Sequence, residues 1–365
     1  MFNTIRLYNK FPLLTIVIKQ VIFWIVAYGL LGSIIYLSTL SNIIALKSEI
    51  QISVILVVFL IIVNGLLHGI ILGLMEHFFH KKLIFNYNLG VTILVGGLVY
   101  FLIIMGLIGI TRLILFHLPG FFPIDTSPTE LILKENWNYY YAILLIYTLF
   151  MTLVLSFINQ MEKKFGLGYL LPILLGRFRY PREEERIFMF LDLASSTTLA
   201  EELGHITYSS LIQECFLDIS HIVRRYNAEI YQYVGDEIVI SWPIEGLINF
   251  TSIDFFFAVQ ELLVNRKDYY FKNFGVVPSF KAGAHIGIVT MVEVGDVKRD
   301  IAYHGDTLNV AARLEGLCNE LNQPILISAA LREKGMLDKK YTTTSFGFKN
   351  LKGRGALLEV YGIAR

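Results

Sequence analysis

Tyr303-His304-Gly305-Asp306-Thr307-Leu308-Asn309-Val310-Ala311-Ala312-Arg313 is the stretch from which the rest of the chain can be read. Asp306 and Thr307 are residue types that cap helix N-termini, and Leu308, Val310, Ala311, Ala312 and Leu314 behind them are spaced as a helix. With either residue as the cap, Asn309 and Arg313 lie one turn apart on one face. An amide and a guanidinium aimed together can clamp an anionic oxygen, because Arg presents a rigid fork of donors to phosphate. An isolated Asn/Arg pair is more often a solvated helix face. Two carboxylates upstream, Asp192 and Asp236, set this pair apart.

Asp192 ends a short apolar run, Arg186–Leu193, which reads as a buried strand. Ser195, Ser196 and Thr197 follow, and then a long helical pattern reaches about Tyr226. Asp192 therefore sits where a strand hands over to a helix N-terminus, a place that favours phosphate. A carboxylate there can hold a divalent cation that bridges to the phosphate. Asp236 lies in Gly235-Asp236, between the β-rich halves of Ala228–Trp242, and this dipeptide signals a hairpin. On its own it is an ordinary turn former. A helix at about Ser252–Lys272 precedes β-rich runs at Ser279–Gly287 and Ile288–Val294. Pro324–Ala330, Tyr341–Phe348 and Ala356–Ile363 read as further strands. The order predicts an α+β domain with a ferredoxin-like core, an antiparallel sheet with helices on one face.

The other half of the chain has a different composition. The 365 residues are 55% hydrophobic with a mean hydropathy of +0.58, and the long apolar runs fall in the first 160. Four stretches, roughly Val21–Leu40, Ile52–Met75, Leu89–Ile110 and Tyr139–Met161, are long enough to cross a bilayer, which takes about 20 residues. The first is too long for a signal peptide and has no cleavage site behind it, so it is read as retained. Arg6, Lys10, Lys19, Lys81, Lys82, Lys163 and Lys164 crowd one side. The loops holding Lys47 with Glu49, and Asp125, Glu130 and Glu135 with Lys134, form the other. The positive-inside rule puts both termini in the cytoplasm, with the spans in the inner (plasma) membrane. Asn64 and His68 are the polar exceptions inside the spans. They read as interhelical hydrogen bonds rather than a haem site, since no second mid-membrane His is present. A formal net charge of +1 gives no reason to expect nucleic acid, and two Cys without CxxC spacing fit a reducing compartment.

The resulting division is a four-span membrane domain (1–161), a linker broken by Gly166, Gly168 and Pro172 (162–185), and a catalytic domain (186–365). The linker is either a plain tether or a short coupling element that pairs across a dimer.

The soluble half resembles the catalytic domain of a class III nucleotidyl cyclase. The resemblance rests on Phe-Leu-Asp-Leu at 190–193, Gly-Asp-Glu at 235–237, Gly-Asp-Thr-Leu-Asn-Val-Ala-Ala-Arg-Leu-Glu at 305–315 and Leu-Lys-Gly-Arg at 351–354. Four such pieces in collinear order are specific where each alone would be weak. The resemblance implies that Asp192 and Asp236, helped by the backbone carbonyl of Leu193, hold two divalent cations, Mg²⁺ or Mn²⁺. Asn309 then orients the ribose, Arg313 stabilises charge on the α-phosphate, and Lys352 contacts the triphosphate. It also implies a homodimer, with the aspartates from one protomer and the Asn/Arg pair from the other. The base-reading positions, Gln232 and Ala302, match neither the adenylyl nor the guanylyl pattern. The expected substrate is ATP, with GTP as the rival. An inactive nucleotide-binding signalling module and a transporter with a regulatory domain are the readings from other classes. The bilayer and an unidentified signal acting through the membrane half complete the expected partners.

Overall fold

A computed structural model describes residues 11–45, 54–83, 89–117, 137–166, 168–244, 251–335, 337, 340–350 and 357–365. Lys352, Arg6, Lys10 and the loop charges Lys47, Glu49, Asp125, Glu130, Lys134 and Glu135 lie outside them. The chain forms two compact units that divide at Gly168.

The described residues of the first unit form four helices, α1 (Pro12–Ala45), α2 (Val54–Leu83), α3 (Leu89–His117) and α4 (Trp137–Phe165). All four are long and apolar enough to cross a membrane. Helix α1 starts earlier than its apolar run because Pro12 is preset for the first helical position, where its missing N–H costs nothing. Lys19 is thus well inside α1, and it is accommodated by Glu162 at 2.6 Å and Asn159 at 2.7 Å on α4. Helices α1 and α2 pack closely. A Cβ at Gly69 would fall inside the backbone of Val21, so only glycine allows that approach. Of Asn64 and His68, both expected to bond between helices, Asn64 bonds within its own helix, its Nδ2 donating to the Leu60 carbonyl at 2.9 Å. His68 Nδ1 meets the Asn64 carbonyl at 2.7 Å, and the ring also interacts with the backbone of Ile104 on α3. The rings of Trp24 and Tyr28 on α1 lie 6.1 and 5.3 Å from His68.

The second unit begins with a short helix, α5 (Leu170–Leu174). It continues β1 (Arg182–Leu193), α6 (Ser196–Val223), β2 (Glu229–Val234), β3 (Glu237–Pro243), α7 (Thr251–Asn265) and α8 (Lys267–Phe274). Then come β4 (Phe280–Val294), β5 (Asp300–His304), α9 (Asp306–Gly316), β6 (Ile325–Ser328), α10 (Ala329–Gly335), β7 (Thr342–Lys349) and β8 (Leu358–Ala364). The sheet runs β2-β3-β1-β4-β6-β8-β7, with β5 hairpinned onto β4. Among the described strands only the β4–β6 pair is parallel. The ferredoxin-like core, β1-α6-β2-β3-α7-β4, is present with β1 and β4 at its centre. Alternation along β1 sends Ile187, Met189, Leu191 and Leu193 into the core beneath α6 and α7. Phe188 and Phe190 point to the other face, against Ala311 of α9 and Tyr169, Ile173 and Phe178 of the linker segment. The expectation of helices on one face is therefore corrected: α9 covers the second face. The cause is that Val310 and Leu314 of α9 have their own apolar seat on Leu326 and Val360.

Candidate active site

The N-cap of α9 is Gly305, and neither Asp306 nor Thr307 caps the helix as the sequence suggested. Asp306 is the first helical residue, and Thr307 turns to the sheet and donates to the Ile288 carbonyl at 2.9 Å. The consequence for Asn309 and Arg313 is unchanged: they occupy one helix face, Asn309 exposed and Arg313 half-buried. Arg313 Nη1 is buried with no hydrogen-bond partner. An unsatisfied guanidinium N–H costs about 1–3 kcal/mol, so it is a donor awaiting an acceptor.

Helix α9 is held at this position by glycine. A Cβ on Gly283 of β4 would collide with the backbone of Ala311 and Glu315, and one on Gly287 would collide with the Thr307 hydroxyl. The strand and helix touch backbone to backbone, which fixes the helix over the sheet.

Beneath the C-terminal end of α9 lies a cross-strand row. Asp192 of β1 is the register partner of Glu237 on β3 and of Lys281 on β4, so the three side chains share one face. Lys281 Nζ is 3.4 Å from Asp192 Oδ2 and 3.1 Å from Glu315 Oε1, the latter reaching down from α9. Asp236 sits at the tip of the β2–β3 hairpin, whose two-residue loop needs positive φ at its first position. Gly235 supplies it at +62°. Burial and then the nearby Asp236 raise the Asp192 carboxyl above its ordinary range, against the pull of Lys281. The two aspartates therefore feel each other. Burial, then Glu315, Asp192 and Asp236, push Glu237 up to about 7. Burial works against the Lys281 ammonium, but Glu315 and Asp192 outweigh it and hold its pKa up. After Leu193 the chain turns into α6 through Ser195 at φ +57°, a strained conformation for a non-glycine residue. The Tyr208 hydroxyl of α6, pushed up to about 12 by burial and then by Asp236, lies at the same tip.

Among the described residues no three His, Cys, Asp or Glu side chains close around a metal by themselves. Two carboxylates and a backbone carbonyl are nonetheless hard oxygen donors of the kind Mg²⁺ and Mn²⁺ take, with water and substrate phosphate completing the shell. The mutual repulsion of Asp192 and Asp236 is what a shared cation would relieve.

Residues 179–364 match the family described as Adenylate and Guanylate cyclase catalytic domain. The chain belongs to that family. It is 36% identical over 220 residues to Adenylate cyclase 2 of Rhizobium meliloti (strain 1021), covering 60% of this chain and 61% of that one. It is 26% identical over 186 residues to Adenylate cyclase 1 of the same organism, covering 49% of this chain and 27% of that one. The matched part is thus less than two thirds of either relative. A solved bacterial light-regulated adenylyl cyclase has the same fold, with a TM-score of 0.52 at 24% identity over 60% of this chain and 64% of that one.

In this cyclase domain the two expected base-reading positions flank an aromatic pair. The Tyr231 and Tyr303 rings are 5.0 Å apart, and the Tyr303 N–H donates to the Tyr231 hydroxyl at 3.4 Å. This contact ties β2, with exposed Gln232, to β5, with half-buried Ala302. Glu237 and Glu315 stand inside the quoted motifs without an assigned role, and Lys281 stands in none. What joins the three is strand register and the seat of α9, which the sequence does not display.

Proposed function

We propose that the protein is a membrane-bound nucleotidyl cyclase that converts ATP into cyclic AMP and pyrophosphate, acting as a homodimer with its catalytic half in the cytoplasm. The observation that carries this reading is the division of α9 into two working faces. Glu315 touches the protomer's own acid row, whereas Arg313, two residues earlier and roughly 200° around the helix, lies on another face and keeps a buried donor without a partner. A site shared by two copies uses both faces.

On this reading Asp192, Asp236 and the Leu193 carbonyl hold two divalent cations. When bound, these neutralise the triphosphate and acidify the ribose 3′-hydroxyl. Asn309 of the second copy orients the ribose. As the bond from the 3′-oxygen to the α-phosphorus forms, the bond from that phosphorus to the β-phosphate bridging oxygen breaks. Pyrophosphate leaves with the electron pair, and the hydroxyl proton passes to water. Arg313 meets the charge that develops on the α-phosphate through donors already in place. Lys352 contacts the triphosphate, and Gln232 with Ala302 lines the base.

ATP is favoured because the curated relative at 36% identity is named Adenylate cyclase 2. GTP is the second reading, since the Gln232 amide both donates and accepts and can face either purine. The test is turnover of ATP and GTP in parallel by the purified full chain with Mn²⁺. A tenfold faster rate with GTP overturns the substrate, and no cyclic product from either overturns the function. Asp192→Ala mixed with Arg313→Ala should regain activity through one intact shared site. No recovery under proven protomer exchange overturns the shared site.

A further inference from the structure

Lys281 has two partners at nearly equal distance, Asp192 Oδ2 at 3.4 Å and Glu315 Oε1 at 3.1 Å, and all three side chains are largely enclosed, at 16, 20 and 11% exposure. Neither partner is free to wander. Asp192 is fixed by pairing with both β3 and β4, and Glu315 is fixed because α9 rests on Gly283. The ammonium, at the end of four methylenes, is the mobile member of the trio.

We propose that Lys281 is a tethered counter-ion that occupies Asp192 until a divalent cation arrives, and that Glu315 is the second berth to which it then withdraws. The inference rests on Asp192 being a metal ligand. Three carboxylates crowd this end of the sheet, Asp192 and Glu237 as register partners and Asp236 beside Glu237 at the hairpin tip, and a resident cation offsets their charge until a metal takes its place. The same cation would repel an incoming metal if it had nowhere else to go. Glu315 supplies that place without any backbone movement. Lys281 and Glu315 are thus positioning residues, acting on metal occupancy through Asp192 and not on the substrate.

The experiment is Mn²⁺ titration of the full chain, with free Mn²⁺ read by electron paramagnetic resonance and folding checked by near-UV circular dichroism. Binding lost in Asp192→Asn defines the site. Lys281→Gln, which removes the competitor, should bind Mn²⁺ about tenfold more tightly. Glu315→Gln, which leaves Asp192 as the ammonium's only partner, should bind about tenfold more weakly. In the Lys281→Gln background the Glu315 change should alter affinity less than about twofold, because no ammonium remains to be berthed. Lys281→Arg should stay within about threefold of the parent. A plain structural role would weaken binding in both single variants, and that result overturns the proposal, as does an unchanged affinity in both. Mn²⁺ binding that is indifferent to Asp192→Asn overturns the metal-ligand reading itself, an outcome separate from either of these.

Discussion

The two halves of the chain arrange their buried polar side chains differently. In the catalytic half, Arg186 is 1% exposed and uses both terminal nitrogens. Nη1 donates to Glu184 at 2.9 Å, while Nη2 donates to Ser241 at 2.8 Å and to Glu229. Glu229 also accepts from the Tyr169 hydroxyl of the linker segment at 2.8 Å. In the membrane half, Gln20 Oε1, Trp24 Nε1 and the Tyr28 hydroxyl are all buried without a hydrogen-bond partner. Gln20, Trp24 and Tyr28 recur every fourth residue along α1, and the Trp24 and Tyr28 rings meet His68 of α2. Buried polar groups are nearly always paired, so a row of unpaired ones is a departure that costs stability. The catalytic half also leaves Arg186 Nε, the Tyr303 hydroxyl, Arg313 Nη1 and the ion-paired Glu315 Oε1 without a hydrogen bond, so the contrast is one of arrangement: a line of unpaired groups along one helix against single atoms left over in otherwise paired side chains. Of these atoms, Arg313 Nη1 lies at the proposed site.

The largest expected effect is at Arg313. Arg313→Ala should lower turnover by about 10²–10³-fold, as loss of a transition-state donor does, while the thermal midpoint stays within about 2 °C. A collapse in stability would instead make Arg313 part of the framework. Next comes Arg186→Met, which strands Glu229 and should destabilise the catalytic half by about 3–5 kcal/mol in denaturant unfolding. A change below about 1 kcal/mol would show that the pairing around it is dispensable. Gly283→Val drives a side chain into the backbone of α9 and should cost at least about 1–3 kcal/mol, together with most activity. The smallest effect is expected in the membrane half. Tyr28→Phe removes an unpartnered donor with little change in volume and should leave the detergent-solubilised thermal midpoint unchanged or raise it slightly. A drop of several degrees would show that this donor has a partner and would dissolve the contrast.

Much of this was legible in the sequence, because local rules and long-range packing agreed. The Gly235-Asp236 hairpin formed because two residues suffice to turn the chain once glycine supplies the positive φ. Four apolar stretches became four helices for want of any other way to satisfy their backbone in lipid. The misreadings have physical causes. Ser279–Gly287 and Ile288–Val294 looked like two strands divided at a glycine, yet β4 runs unbroken, and Gly287 is there to admit Thr307. Strand β5 was hidden inside the stretch read as the approach to a helix. The long helix after Asp192 is broken at Gly204, where φ is +70°. Of the site, Asp192, Asp236 and Arg313 could be given roles from the motifs, whereas the pairing of Lys281 with Glu315 could not be read. They meet Asp192 only through strand register and a helix laid across it, and both arise from tertiary packing.

The glycine seat under α9 has a mechanical consequence. A helix bolted backbone to backbone onto the central strand cannot tilt or slide to open or shut a cleft, so Asn309 and Arg313 travel wherever the sheet travels. If the catalytic pocket is completed by a twin, it must be assembled and released as two halves of a mould come together and part. Regulation of such an enzyme falls to whatever sets the angle between the halves.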